Sequence, residues 1–237
     1  MIKHIMADFA KATGIAACGA VMAASANATV LTFDQNNQNP GVPLNQTYGD
    51  NVTGISDAAG NYGQGAEGTT PNVQASYLVS VNSDPRFWTT GYSDLTGVYY
   101  NEIDSRTPLE MTLTADAGFK VLLYGFDLGN FSGALVLPFV QVFDETNTAL
   151  FSQANVALPA STSPHVSFDF GAPLMGASLR ISIDLTGLGG ASDNVGMDNV
   201  TFGQRTVSNV PVPGAIAMLG SVAAAGIVAA YRRRQPA

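Results

Sequence analysis

The sequence predicts an all-β fold, a jelly-roll-like antiparallel β-sandwich, with a signal helix before it and a hydrophobic helix after it. Three observations lead there. Several stretches alternate apolar and polar residues with period two, which gives a strand one buried and one wetted face. Clusters of Gly, Pro, Asn, Asp and Ser separate those stretches, and the chain's 25 Gly and 12 Pro favour turns over long helices. Between residues 29 and 207 no segment sustains an apolar stripe at helical spacing.

The strands follow in chain order. Val30–Phe33 opens the domain. Tyr48 to Thr70 is a Gly- and Asn-rich excursion with one short strand expected at Asn51–Ile55, and its Gly54–Gly68 part, lacking a P-loop Lys, reads as a flexible loop. Val73–Val81 is next. Leu109, Met111 and Leu113 then alternate with Glu110, Thr112 and Thr114. Phe119–Phe126, Leu135–Phe143 and Thr148–Phe151 follow. Val166, Phe168 and Phe170 alternate with Ser167 and Asp169, and Leu179, Ile181, Ile183 and Leu185 with Arg180, Ser182, Asp184 and Thr186. Val195–Phe202 closes the set. Nine or ten strands without a self-similar period make a sandwich rather than a repeat array. Its length suits one domain, residues 29–207.

Both flanks read as addresses. Residues 1–28 have the layout of a signal peptide: Lys3, His4 and Lys11, then the small apolar run Gly14–Ala24, then Ala26-Asn27-Ala28 as an A-x-A cleavage site. Signal peptidase is the expected partner. Ile15-Ala16-Ala17-Cys18 loosely matches a lipobox, which would instead place a lipid on Cys18. Cys18 is the single Cys, so removing residues 1–28 leaves no thiol chemistry and no disulfide.

The other flank, residues 208–237, has three parts. Val210-Pro211-Val212-Pro213-Gly214 comes first. Seventeen uncharged residues, Ala215–Tyr231, follow, at the short end of what spans a bilayer as a helix. Arg232-Arg233-Arg234 then marks the cytoplasmic side. This order resembles the PEP-CTERM sorting signal of Gram-negative bacteria, with Val212 where that family usually has Glu. The resemblance implies transient membrane insertion, cleavage near Pro211–Gly214 by an exosortase, and delivery to the cell surface or extracellular matrix. A plain tail anchor with a Pro-rich hinge is the alternative.

Gly196-Met197-Asp198-Asn199-Val200-Thr201-Phe202 resembles the last strand of bacterial jelly-roll carbohydrate-binding modules and of many PEP-CTERM surface proteins. Regular alternation would send Asp198 inward with Val200 and Phe202, and Met197 outward with Asn199 and Thr201. An unpartnered buried carboxylate is costly. A structural Ca²⁺ would satisfy it, and the resemblance, in which first and last strands pair, makes Asp34 the second carboxylate, with Asp193 and Asn194 as further donors. The alternative is that Asp198 caps a turn or accepts backbone N–H groups.

Phe87, Trp88, Tyr92, Tyr99 and Tyr100 cluster in sequence, with Asp94, Asn101 and Glu102 nearby. Trp88, Tyr92, Tyr99 and Tyr100 are the candidate surface for stacking against a glycan, and core packing is the competing use of such rings. Catalysis is not expected. His165 is the single His after Ala28 and reads as a loop residue, there is no G-x-S-x-G, and no carboxylate pair is marked.

Charge completes the reading. The chain has 10 basic and 18 acidic residues, a net charge of −8. Residues 29–207 keep 5 and 17 of them, so the domain alone stands near −12. Such a surface has no basic patch for nucleic acid. The expected function is that of an exported, exosortase-sorted surface or matrix protein with a structural or interaction role in exopolysaccharide or biofilm. A carbohydrate-binding module is the alternative, and a secreted glycan-active enzyme a more remote one.

Overall fold

The computed structural model describes residues 28–34, 41–54, 66–104 and 107–207. The expected signal helix, the sorting motif Val210–Gly214, the apolar segment and the Arg232–Arg234 tail lie outside the described residues. Within them, no helix is long and apolar enough to cross a membrane.

Among the described residues, twelve strands form two antiparallel sheets packed as a sandwich. They are β1 (Thr29–Leu31), β2 (Ala66–Glu67), β3 (Val73–Tyr77), β4 (Pro85–Trp88), β5 (Val98–Asn101), β6 (Leu109–Ala115), β7 (Phe119–Asn130), β8 (Leu135–Asp144), β9 (Ala149–Leu158), β10 (Val166–Gly176), β11 (Ser178–Ile183) and β12 (Val195–Thr206). One sheet runs β3-β6-β11-β8-β9. The other runs β10-β7-β12-β1-β2, and β5, with β4 beside it, also pairs with β12. A 3-10 helix, Gly189–Asn194, leads into β12.

Alternation explains the regular strands. In β6 the buried Leu109, Met111 and Leu113 face the core, and in β11 Leu179, Ile181 and Ile183 do so from the neighbouring strand. Fully burying each such side chain is worth roughly 1.5–3 kcal/mol. Tyr77, Phe33 and Tyr99 meet in the same core, with ring centroids 4.9 to 6.2 Å apart.

Other strands depart from the expectation. β4 alternates buried and half-buried residues over only four positions, and β5 does not alternate at all. In β5 both faces are covered: Tyr99 enters the main core, while Val98 and Tyr100 join a second small core with Tyr92, Leu95 and Trp88. The short strand expected at Asn51–Ile55 reduces to one bridge, Val52 to Thr70, and Ile55 lies outside the described residues. β9 is longer than Thr148–Phe151 because hairpin pairing with β8 continues to Leu158.

The parity expected of β12 is broken by a bulge. Its register with β7 shifts between Asp198 and Thr201, where Asn199 takes a left-handed conformation, φ 50°. The extra residue lets Met197 on one side and Val200 and Phe202 on the other all reach the main core. Met197 therefore points inward, not outward. Asn tolerates positive φ better than other non-Gly residues.

That backbone demand is measurable. Asn199→Gly and Asn199→Ala both remove the side chain, but only Ala pays for positive φ. Asn199→Ala should unfold at a lower denaturant midpoint than Asn199→Gly, corresponding to a loss of about 1 kcal/mol in unfolding free energy. Equal midpoints would contradict the bulge geometry.

Candidate functional site

β12 shares one of its edges between two partners. β5 pairs with it at Gly196 and Met197, and β1 at Val200 to Phe202. The bulge falls in the gap between them. There the end of the β1 segment meets the start of β5 so closely that a Cβ on Gly97 would lie 2.6 Å from the Phe33 carbonyl oxygen and 2.7 Å from Asp34 Oδ1. Phe33 itself is at φ 50°, its ring buried and stacked on Tyr48 with centroids 5.1 Å apart. Non-Gly residues held at positive φ cost about 1–3 kcal/mol each. Phe33 and Asn199 spend that energy on the same gap.

A polar network fills the gap and its rim. Thr96 Oγ1 donates to Asp34 Oδ1 at 2.8 Å. The Asn199 backbone N–H donates to Asp198 Oδ1 at 2.7 Å, and Asn199 Nδ2 to Asp127 Oδ2 at 2.8 Å. His165 Nε2 lies 3.5 Å from Asp127 Oδ2, and its Nδ1 2.8 Å from Asp94 Oδ1. The His165 backbone N–H donates to that same Asp94 oxygen at 2.8 Å. These hydrogen bonds from His165 hold the Asp94 carboxyl below its ordinary value.

Asp198 is the buried member, 2% exposed. Desolvation pushes its pKa up to about 8; the Asn199 N–H opposes the shift, and the charges of Asp34 and Asp127 add to it. At neutral pH it is therefore mostly a neutral acid. Tyr48 lies beside them: burial drives its hydroxyl pKa far up, a hydrogen bond with the Phe33 backbone opposes the shift, and the charges of Asp198 and Asp34 add to it.

Asp34 lies near enough to Asp198 for its charge to add to burial in raising the Asp198 pKa. Asp193 does not join them. Its charged neighbours are Asp104 and Glu102, which add to burial in raising its pKa. Among the described residues no group of three or more His, Cys, Asp or Glu side chains is placed to hold a metal ion. The three carboxylates expected to hold calcium, Asp34, Asp193 and Asp198, are therefore not gathered into one cluster among the described residues.

The aromatic candidates divide. Tyr99 is 0% exposed and donates its hydroxyl to the Glu110 carbonyl at 2.9 Å, so it belongs to the main core. Trp88, Tyr92 and Tyr100 do cluster, joined by Phe131, which the sequence did not single out. Phe131 lies 5.9 Å from Trp88 and 5.2 Å from Tyr92, and is 42% exposed. Tyr92 and Tyr100 are buried, with hydroxyls donated to the Asp193 carbonyl and to Glu102. Trp88 is half-buried and stands at 79° to Phe131, so the outer surface is an edged pair of rings rather than a flat shelf.

His165 lies in the loop before β10, as expected, but it is not free: both ring nitrogens face carboxylates. Asp94 is 71 positions away in sequence, and only the close packing of the two loops brings it near.

No protein-family model and no curated protein matches the sequence. Among solved structures, the chain is similar to part of an arabinose-bound α-L-arabinofuranosidase, MgGH51, at 16% identity and a TM-score of 0.34, covering 71% of this chain and 27% of that one. It is also similar to part of the enzymatically active domain of tailspike protein 4 of bacteriophage CBA120, at 14% identity and a TM-score of 0.29, covering 56% and 19%. The chain spans about a quarter of the first protein and a fifth of the second.

The Asp198 proton has a signed consequence. Its folded pKa of about 8 lies above the unfolded value of about 3.9, so its contribution is most favourable below pH 4. It is lost as pH rises toward 8 and flat above. Asp198→Asn keeps an acceptor for the Asn199 N–H and removes the titration. Its melting temperature should gain on the wild type between pH 5 and pH 9. Parallel curves, or a calcium-dependent rise confined to the wild type at pH 9, would contradict a neutral Asp198.

Proposed function

We propose that this chain is an exported protein, passed by its C-terminal segment to an exosortase and delivered to the cell surface or extracellular matrix. There its acidic sandwich serves a structural or interaction role in exopolysaccharide or biofilm. The carrying observation is that the strands run from Thr29 to Thr206, which makes the flanking address segments additional to the sandwich. β1 begins directly after the A-x-A site, and the V-P-V-P motif begins four residues after β12 ends.

Burial at the first junction supports export before folding. Thr29 is fully buried, with its hydroxyl 2.8 Å from that of Thr70. Gly68 lies so close that a Cβ there would sit 2.1 Å from the Ala28 carbonyl oxygen. A peptidase has no access to the Ala28–Thr29 bond in the closed sandwich, so cleavage belongs to the unfolded chain during translocation. Deletion of residues 210–237 should move the protein from the cell surface to the medium while leaving its β-sheet circular dichroism unchanged. Normal surface retention of the truncated chain would refute sorting by this segment.

A second reading rests on the exposed Phe131 beside half-buried Trp88: a glycan contact at this end of the sandwich. Stacking of this kind is worth about 1 kcal/mol per ring. Trp88→Ala and Phe131→Ala should each weaken retention on purified exopolysaccharide about fivefold, without a matching loss of stability. Unchanged retention would leave the rings with a packing role only.

A further inference from the structure

Only five basic residues lie between positions 29 and 207: Arg86, Arg106, Lys120, Arg180 and Arg205. Arg86 is paired with Asp84, and Arg180 with Glu110. Arg106 lies outside the described residues. Lys120 and Arg205 have no carboxylate within salt-bridge distance among the described residues, yet they are direct cross-strand partners of β7 and β12. Residues so paired project on the same face of a sheet, and like charges placed there repel. A polyanionic surface would relieve that repulsion. Asp144 and Glu145 are engaged elsewhere: Asp144 with Thr146 and Thr148, Glu145 with the backbone N–H groups of Ala177 and Ser178, and these hydrogen bonds lower their pKa values, with the Lys120 charge a smaller contribution.

The two cations line an open cleft of about 290 Å³ with Met175, Thr206 and Val207. Met175 and Val207 are each 44% exposed, large apolar side chains left in water beside the charges. β12 ends at this cleft, and Val207 is the last described residue before the tail. The apolar stretch Ala215–Tyr231 starts eight residues farther on.

We propose that the Lys120–Arg205 end of the sandwich is a docking surface for the lipid phosphates of an anionic bilayer. This rests on the reading that residues 215–231 enter a membrane. The two cations would bind headgroup phosphates, and Met175 and Val207 would settle into the interface, each basic residue contributing by attraction to the negative surface. The remainder of the domain, strongly acidic, is repelled from the same surface, which orients the molecule with this end down. Val210 lies three residues beyond Val207, a reach of about 10 Å at most. Docking therefore holds the V-P-V-P-G segment at the headgroup layer, within reach of a membrane-embedded peptidase.

Lys120 is the one Lys after residue 28, which makes its amine a site-specific probe. The full chain is reconstituted into vesicles of phosphatidylcholine alone and of phosphatidylcholine with phosphatidylglycerol. Flotation reads insertion of the tail, and acetylation by an uncharged amine reagent, followed by mass spectrometry, reads Lys120. The expected result is flotation with both vesicles and Lys120 acetylation roughly fivefold slower on the anionic ones, with protection lost in high salt and in Arg205→Glu. Flotation with equal Lys120 reactivity in both vesicles would overturn the docking surface and leave membrane insertion standing. Failure to float would overturn insertion and docking together. Protection by soluble polygalacturonate, with none on anionic vesicles, would overturn the bilayer in favour of an acidic polysaccharide.

Discussion

The pairing of β12 with three other strands is the constraint on which the rest depends. Along one edge it runs the length of β7. Along the other it pairs first with β5 and then with β1. The first strand of the sandwich is thereby fixed by the last, so this sheet cannot form until residues 195–206 are available. Two strands that meet end to end on one edge leave a gap, and the bulge at Asp198–Asn199 fills it. Positive φ at Phe33 and Asn199, the close approach at Gly97 and the buried Asp198 are local costs of that junction, met by core burial on both sides of it.

Much of this was legible. β6 and β11 alternate cleanly because one face is core and the other water, and their sequences say so directly. β5 was illegible for the opposite reason: Val98-Tyr99-Tyr100-Asn101 is buried on both faces by two different cores, so no period survives. Asp198 is a buried carboxylate, as alternation predicts, but by a different path. Regular alternation placed it inward, whereas the bulge changes the parity and brings Met197 inward too. A one-residue irregularity leaves no periodic signal, and Asn at position 199 was its only trace. The chemistry that depends on distant loops was likewise hidden. Nothing in the spacing links His165 to Asp94, or Phe131 to Trp88.

Charge distribution separates the two ends of the molecule's surface. Four carboxylates and one His converge around the β1–β5 gap, and burial raises the pKa of Asp198 to about 8. Lys120 and Arg205, with no carboxylate within salt-bridge distance among the described residues, sit where β12 ends. The first arrangement runs from buried Asp198 to exposed Asp94 and serves the junction; hydrogen bonds consume most of its capacity. The second has unused capacity, in a domain whose net charge otherwise favours solvent. The address segments inferred at the two flanks of the chain would thus act on a sandwich that is polarised in charge along β12.

Intact mass of the protein recovered from cell surface and medium tests the central claim most directly. Export and exosortase cleavage predict a chain that begins at Thr29 and ends between Pro211 and Gly214, with any added mass on the new C-terminus. A chain that retains residues 215–237 would identify a permanent tail anchor, and one that begins at a lipid-modified Cys18 would identify a lipoprotein; either contradicts the claim.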